Sequence, residues 1–203
     1  MLGPQGSGKG TQAEFLAERL HAPHISMGDI VRREIRSGSP LGETLRRYND
    51  RGELVPDETI LELVGPILRA NDSWILDGFP RDLAQARALD TLLQNEHRPL
   101  DRVVALEIPE EPLTERLAGR RQSESTGATY HLVHNPPPPE DPGPFVQRAD
   151  DDPAGIRRRL ELYHTVTEPL KQHYDAQGLL THVDADGTID QVRDRLFEAL
   201  GLN

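Results

Sequence analysis

The sequence lacks cysteine, has few aromatic residues (4%) and carries no excess of positive charge. Without cysteine it can form neither disulfides nor thiolate metal sites. It has 23 Lys and Arg residues and 34 Asp and Glu residues, which gives a formal net charge of −11. An acidic protein gains nothing from long-range attraction to nucleic acid or to anionic membranes. An anionic ligand must therefore be held by a local cluster of positive groups.

Membrane and export signals are also missing. No apolar run approaches the roughly 20 residues that span a bilayer, and no basic segment followed by an apolar one opens the chain. We therefore expect a cytoplasmic protein with no nucleic-acid or membrane partner. At 203 residues the chain is long enough for one sizeable core with small inserts.

The sequence does contain an alternation of amphipathic segments and short apolar runs. Helical periodicity marks segments such as "SGKGTQAEFLAERL" and "DLAQARALDTLLQN", and the apolar runs include "SWILDGFP", "RVVALEIP" and "LLTHVDA". Short apolar runs that end in polar turns are typical of buried parallel strands. The alternation predicts an α/β fold with a parallel sheet flanked by helices. The segment "PAGIRRRLELYHTVTEPLKQHYDAQG" is predicted as one long helix with Pro169 inside it.

One segment interrupts this pattern, "QSESTGATYHLVHNPPPPEDPGPFVQRA" between Arg121 and Asp150. It has no helical period, few aliphatic residues and many prolines, so we predict no regular structure within it. A loop of this length inside a compact domain is usually functional or disordered. On composition alone, a Pro-rich linker is as good an interpretation as a functional insert.

The stretch "GPQGSGKGT" has the spacing of a phosphate-binding loop, with Gly3, Gly8 and Lys9 in the G-x-x-x-x-G-K positions. Glycines let successive backbone N–H groups curl round an anion, and the helix that starts there adds its positive end. Lys9 supplies a positive charge for a transferred phosphoryl group. The next position is Gly10, and the hydroxyl follows at Thr11. The stretch predicts a P-loop NTPase-type fold that binds a nucleoside triphosphate, without specifying the reaction.

A second motif, "LDGFPR", ends a predicted buried strand. Ligands bind at the carboxyl ends of strands in an open parallel sheet, so Asp77 is expected at the site. Carboxylate oxygens suit Mg²⁺, and Asp77 is the candidate to hold this ion through water. Arg81 follows a rigid Gly-Phe-Pro turn, which gives its guanidinium a fixed base. Taken alone, an N-cap Asp and a surface Arg would be the better interpretation, but after a phosphate loop the motif is much more specific.

Arginines flank the Pro-rich segment on both sides. They are Arg32 on an earlier helix, Arg116, Arg120 and Arg121 before the segment, Arg148 after it, and Arg157, Arg158 and Arg159 on the next helix. Most surface arginines in an acidic protein are solvated or ion-paired. Phosphoryl transfer, however, needs positive groups that close on charge spread over several oxygens. His131 and His134 lack cysteine partners, so no zinc site is expected.

In these stretches the chain resembles the bacterial adenylate kinases with a long lid. The matching segments are "LGPQGSGKGTQA", "ISMGDIVR", "SGSPLGETLRRYNDRGELVPDE", "ILDGFPRDLAQA", "ERLAGRR", "TYHLVHNPP", "QRADDDPAGIRRRLELYHTVTEPL" and "VDADGT", in family order over nearly the entire chain. The resemblance implies reversible phosphoryl transfer from Mg·ATP to AMP, giving two ADP, by a monomer. Lid closure, for which adenylate kinase is a standard example, excludes water as a competing acceptor.

The resemblance also implies a division of the chain and a set of site residues. The core would comprise residues 1–25, 56–118 and 153–203, with a helical AMP-binding insert at 26–55 and a lid at 119–152. The ATP-binding candidates are Gly6, Ser7, Gly8, Lys9, Gly10, Thr11, Arg116, Arg120, Thr129, Tyr130 and Gly187. The AMP-binding candidates are Met27, Arg32, Glu53, Leu54, Val55, Gly78, Phe79, Pro80, Arg81, Gln85, Arg148 and Arg159.

By the same resemblance, a few of these residues act in the chemical step. The catalytic candidates are Lys9, Arg81, Arg120, Arg148 and Arg159. Asp77, Asp150 and Asp151 would organise the Mg²⁺ shell or lid closure. No catalytic base is assigned, because a phosphate acceptor is already ionised at neutral pH.

Some positions depart from the family pattern. Met27 stands where adenylate kinases usually have Thr, which leaves a UMP/CMP-type kinase open as an alternative. Gln85 favours adenine, because its amide offers a donor and an acceptor together. Glu53 replaces a common Lys. In place of the four cysteines of zinc-binding lids, the candidates for a polar network are Ser123, Ser125, Glu140 and Asp141.

The segment before the phosphate loop is short. Only Leu2 stands between Met1 and Gly3, whereas family members carry several apolar residues that form the central strand. Loss of a central strand would remove backbone partners and buried apolar area from its neighbours. We therefore expect the protein to begin upstream of residue 1. The alternative is a nucleotide-binding protein without turnover.

Overall fold

The structure, a computed structural model, describes residues 1–51, 53–148 and 151–203. Within these ranges the α-helices are α1 (Lys9–Leu20), α2 (Met27–Ser37), α3 (Pro40–Arg51), α4 (Asp57–Arg69), α5 (Leu83–Asn95), α6 (Glu110–Gly119), α7 (Pro153–Leu162), α8 (Leu170–Asp175) and α9 (Ile189–Leu200). The strands are β1 (His24–Ser26), β2 (Ile75–Asp77), β3 (Val103–Glu107), β4 (Arg120–Ser123), β5 (Thr129–His131), β6 (Phe145–Val146) and β7 (Leu180–Asp184). Every helix in the described ranges is too short or too polar to cross a bilayer.

Two parallel strand pairs form the centre of the fold, β1 with β2 and β3 with β7. The first residues of the chain lie between these pairs. Leu2 donates its N–H to the Val104 carbonyl at 2.7 Å and accepts the Leu106 N–H at 2.9 Å. The Met1 ammonium donates to the Leu76 carbonyl at 2.8 Å. Backbone hydrogen bonds therefore join both pairs through these two residues, and the phosphate-loop candidate emerges at the carboxyl ends of the strands.

Helices cover both faces of the strands, as the alternation of segments predicts. Along β3, the side chains of Val104 and Leu106 pack on a cluster with α1 and α9. The intervening Val103 and Ala105 pack on a cluster with α5 and α8. Successive strand residues point to opposite faces, so this division confirms an α/β fold with a buried parallel sheet. The open part of the sheet is its carboxyl edge, where loops carry polar groups.

Helices α2 and α3 form a hairpin that is held by a close backbone approach. The hydroxyl of Ser26 caps α2 by accepting the Asp29 N–H at 3.3 Å. α3 meets α2 at Gly42, where a Cβ atom would lie 2.2 Å from the Glu34 carbonyl oxygen. Any larger residue would force the two helices apart, so glycine sets their spacing.

The Pro-rich segment is folded, which corrects the prediction of no regular structure. β4, β5 and β6 form a three-stranded antiparallel sheet in the order β5-β4-β6. The strands are only two to four residues long and mostly polar. They therefore carry no hydrophobic alternation from which a sheet could be predicted.

The carboxylate of Asp141 is the centre of a polar network in this sheet. Its donors, at 2.7–3.2 Å, are the hydroxyls of Ser123, Ser125, Thr126 and Tyr130 and the backbone N–H of Gly143. Burial would raise the pKa of Asp141, but these donors hold it well below its usual range. Three of the four predicted network residues therefore meet, whereas the carboxylate of Glu140 is not a partner of Asp141.

The predicted long helix after the Pro-rich segment is interrupted, which corrects a second expectation. A π-helical turn at Tyr163–Thr167 separates α7 from α8. At the end of this turn, Glu168 donates its N–H to the Tyr163 carbonyl at 2.8 Å, five residues back along the chain. Pro169 has no N–H to continue an α-helical ladder, which explains why the break falls here.

Candidate active site

The loop between Leu2 and α1 is shaped by glycines with positive φ. Gly6 has φ 84° and Gly8 has φ 94°, in a region that L side chains rarely adopt. Gly8 lies at the N-cap of α1 and has no side chain with which to cap the helix. The first N–H groups of α1, which form its positive end, therefore point at any ligand bound within the loop. This local structure can hold phosphate oxygens.

Lys9 folds back over this loop. Its Nζ donates to the carbonyl oxygens of Gly3 at 2.7 Å and Pro4 at 2.8 Å. Burial lowers the pKa of Lys9 from 10.5 to about 8, against the attraction of Asp77, and neighbouring arginines add to the lowering. A bound phosphate would supply the negative charge that the two carbonyl dipoles only partly replace.

Asp77 ends β2 and is 8% exposed. Burial would raise its pKa, but His24, Lys9 and the N-terminal ammonium together hold the pKa below the usual value. Its Oδ1 is buried and has no hydrogen-bond partner in the described residues, and its Oδ2 faces Gly10 in the first turn of α1, 3.8 Å from the place of a Cβ. An ionised carboxylate with an unpaired oxygen beside a phosphate loop fits the water shell of Mg²⁺.

Beside the loop lies a cavity of about 150 Å³ that extends from Lys9 to α2 and β2. It brings together every AMP-binding candidate except Arg148. Those lining it are Met27, Arg32, Glu53, Leu54, Val55, Gly78, Phe79, Pro80, Arg81, Gln85 and Arg159. Sequence reasoning missed Leu162, Tyr163 and Thr167, which also line the cavity. They belong to the end of α7 and the π-helical turn, and the only local signal for such a turn is Pro169.

Arg81 and Gln85 hold each other in place at this cavity. The Arg81 N–H donates to Gln85 Oε1 at 2.9 Å, and Arg81 Nε donates to the Gly78 carbonyl at 2.9 Å. Gln85 Nε2 donates to the Val55 carbonyl at 3.3 Å. Gln85 is only 2% exposed, so both atoms of its amide have a fixed orientation.

Two arginines share one buried carboxylate. Arg120 donates to Asp151 through Nε at 2.7 Å and through a second guanidinium nitrogen, and Arg159 donates to the same carboxylate at 3.3 Å. The Asp151 side chain is 0% exposed. The structure pairs Asp151 with two catalytic candidates, and its role in the Mg²⁺ shell or in lid closure stays a prediction. Asp150, named with it, lies outside the described residues.

Arg148 lies where the Pro-rich segment meets helix α2. It donates to Thr129 Oγ1 at 2.7 Å, while its Nε is buried without a partner in the described residues. Burial, together with the charges of Arg120 and Arg32, lowers the pKa of Arg148 to about 9. Arg32 itself donates to Asp29 at 2.5 Å. Positive groups from α2 and from the end of the Pro-rich segment therefore lie close together, at a cost that an anion would relieve.

The remaining ATP-binding candidates lie on two other elements. Arg116 donates to the carbonyl oxygens of Ala185 at 3.2 Å and Gly187 at 3.1 Å, which places α6 against the loop after β7. Thr129 and Tyr130 lie on β5, and the Tyr130 hydroxyl donates a hydrogen bond to the Asp141 carboxylate at 2.9 Å. In the described residues, no group of three or more His, Cys, Asp or Glu side chains can hold a metal ion.

The family model "Adenylate kinase" matches residues 1–179. The chain belongs to the adenylate kinase family. It is 44% identical over 209 residues to the adenylate kinase of Streptomyces griseus, covering 98% of this chain and 95% of the relative. Identity to the Caldicellulosiruptor bescii adenylate kinase is 40% over 210 residues, covering 100% and 98%. The adenylate kinase of Methanocella arvoryzae is 42% identical over 200 residues, covering 95% and 93%.

Family membership indicates which type of reaction the site catalyses. Adenylate kinases are ATP-dependent phosphotransferases that generally use Mg²⁺, and the relatives support this activity for the chain. A UMP/CMP-type kinase and a binding protein without turnover, the two alternatives from the sequence, are not favoured.

Proposed function

We propose that the chain transfers the γ-phosphoryl group of Mg·ATP to AMP, reversibly, as a monomer in the cytoplasm. The observation that carries this proposal is that Lys9, Arg32, Arg81 and Arg159 line one cavity, in a chain of net charge −11. Cations gathered against the overall charge of a protein indicate a site for a highly anionic ligand. Phosphoryl transfer is catalysed mainly by positioning and by such charges.

The ATP phosphates would lie in the loop Gly6–Thr11, with Lys9 following the transferred group. Arg120, Arg148 and Arg159 would surround the transition-state oxygens, and the adenine of ATP would lie near Arg116 and Gly187. Mg²⁺, when bound with ATP, would neutralise charge on the β- and γ-phosphates, with Asp77 holding its water shell. The acceptor phosphate needs no base, because it is ionised at neutral pH.

The AMP phosphate would bind Arg32 and Arg81, and Gln85 would select its base. The two protein partners of Gln85 leave Oε1 with a second lone pair and Nε2 with a second N–H. Adenine presents a donor at N6 next to an acceptor at N1, which matches this pair. At the corresponding two positions, O4 and N3, uracil presents the reverse order. Cytosine has the adenine order on a smaller ring, which would leave part of the cavity unfilled.

Closure of the site would come from two inserts, the AMP-binding insert at 26–55 and the lid at 119–152. In support, the charge of Arg32 in the first insert acts on Arg148 in the second. A phosphate between these arginines would draw the inserts together over the core. Closure of this kind excludes water from the transferred group.

The test is a coupled assay of ADP formation with Mg·ATP and AMP, CMP or UMP. We expect turnover with AMP to exceed that with UMP by at least about 10²-fold, since uracil held in the position of adenine would leave the amide of Gln85 unpaired. Equal turnover with UMP or CMP would contradict the assignment of AMP. ADP formation with none of the acceptors would contradict phosphoryl transfer itself.

The shifted pKa of Lys9 gives a pH prediction. Folding lowers this pKa from 10.5 to about 8, so between these values the unfolded chain binds more protons and the free energy of unfolding rises with pH. ATP favours the charged form, so ATP binding should take up close to one proton near pH 9 and almost none at pH 7. Calorimetry in buffers of different ionisation enthalpy measures this uptake. Uptake of the same size in Lys9→Met as in the unmodified chain would contradict the assignment to Lys9.

A further inference from the structure

The backbone of Arg81 is held by a residue far away in the sequence. Thr167 Oγ1 donates a hydrogen bond of 2.7 Å to the Arg81 carbonyl oxygen, across 86 residues. On the other side of the same residue, the Arg81 N–H donates to Gln85. The two peptide groups that flank the Arg81 Cα atom are thus each fixed by a side chain, one from α5 and one from the π-helical turn.

The π-helical turn is what brings Thr167 to this place. The Glu168 N–H bonds to a carbonyl five residues back instead of four, so one extra residue is accommodated and the side chains after it rotate relative to α7. Tyr163 and Thr167 both line the cavity. On the outer side of the turn, His164 contacts Glu110 and Glu168 at 2.9 Å. π-Helical turns are frequently found at functional sites.

The same turn continues the helix that leaves the Pro-rich segment. α7 carries Arg159, which pairs with the buried Asp151, and the turn follows α7 directly. Arg159 and the hydroxyl that holds Arg81 therefore lie on one continuous helical segment. A shift of α7 would move both arginines, one directly and one through its carbonyl.

We propose that Thr167 is a positioning residue for phosphoryl transfer. Its hydroxyl fixes the backbone of Arg81 so that the guanidinium meets the acceptor phosphate, and it ties this arginine to the helix that carries Arg159. The proposal rests on the proposed function, in which Arg81 holds the AMP phosphate. It assigns to the π-helical turn a role on the acceptor side of the site and none on the ATP side.

The test compares Thr167→Val, which loses only the hydroxyl, with Thr167→Ser, which keeps it. Thr165→Val is the matched control, because among the described residues the Thr165 hydroxyl bonds only to the Glu161 carbonyl, one turn back in the same helical segment, at 2.8 Å. Misplacement of a substrate-binding group by about 1 Å costs up to about 10²-fold in rate. We expect Thr167→Val to raise the KM for AMP and to lower kcat, so that kcat/KM for AMP falls by about tenfold. The KM for ATP should stay unchanged.

Thr167→Ser should restore most of the lost activity, and Thr165→Val should behave as the unmodified chain. Calorimetric AMP binding to each variant separates this inference from the proposed function. If the unmodified chain binds AMP without turnover and Thr167→Val weakens that binding, the inference stands and the function fails. Equal losses for ATP and AMP, equal losses in Thr165→Val, unchanged kinetics in Thr167→Val, or no AMP binding to the unmodified chain would overturn the inference.

Discussion

Replacement of Lys9 with methionine is expected to lower kcat by about 10²–10³-fold, the usual effect of removing one preorganised charge from a transition state. Lys9 lies at the start of α1 and bonds to the Gly3 and Pro4 carbonyls. Because residues 1–18 contain no other Lys or Arg, the loop has no second cation to replace it. Methionine keeps the length and the apolar contacts of the side chain. The measurement is steady-state ADP formation over a range of ATP and AMP concentrations.

The fold should tolerate this substitution. The lowered pKa of Lys9 means that its charged form is disfavoured by burial, and methionine removes that cost together with two hydrogen bonds. The only other lysine of the chain, Lys171, provides the control. It pairs with Glu107 at 2.9 Å and Glu168 at 3.3 Å, and it is not among the residues that line the cavity beside Lys9. Lys171→Met should keep its turnover within about twofold, as expected for partly exposed ion pairs. A kcat in Lys9→Met close to that of Lys171→Met would contradict the role of Lys9.

Much of the core could be predicted because its signals are local. The period of the apolar residues marks α1 and α5, and the apolar runs mark β2 and β3. The phosphate loop is recognisable because its glycines, lysine and helix start are consecutive in the sequence. Asp77 could be placed at the sheet edge because parallel strands all end there.

Other features could not be predicted because they depend on distant partners. The strands β4, β5 and β6 are short and mostly polar, and hydrogen bonds to Asp141 hold them rather than an apolar face. The π-helical turn is a change of register that leaves no compositional trace except Pro169. The bond from Thr167 to Arg81 joins positions 86 residues apart. The pairing of Asp151 likewise needs the spatial arrangement of two arginines.

Replacement of Asp151 with asparagine is expected to be the most destabilising change in the site. Its carboxylate has a side-chain exposure of 0%, and its partners Arg120 and Arg159 are 13% and 15% exposed. Removing one member of a buried ion pair leaves uncompensated charge and costs about 3–5 kcal/mol. Urea unfolding without nucleotide should therefore show a lower free energy of unfolding. Turnover should also fall, because both arginines lose the group that orients them.

Saturating ATP should reverse part of this loss, since its phosphates would supply the negative charge that the two arginines lack. The stability deficit of Asp151→Asn is thus expected to shrink with ATP present, measured by thermal unfolding in the absence of AMP. Asp152→Asn is the control, because Asp152 caps α7 by accepting the Gly155 N–H at 2.6 Å and asparagine caps equally well. A deficit that ATP leaves unchanged would show that Asp151 stabilises the fold independently of the phosphate site. An equal deficit in Asp152→Asn would show that loss of any acidic charge near α7 suffices.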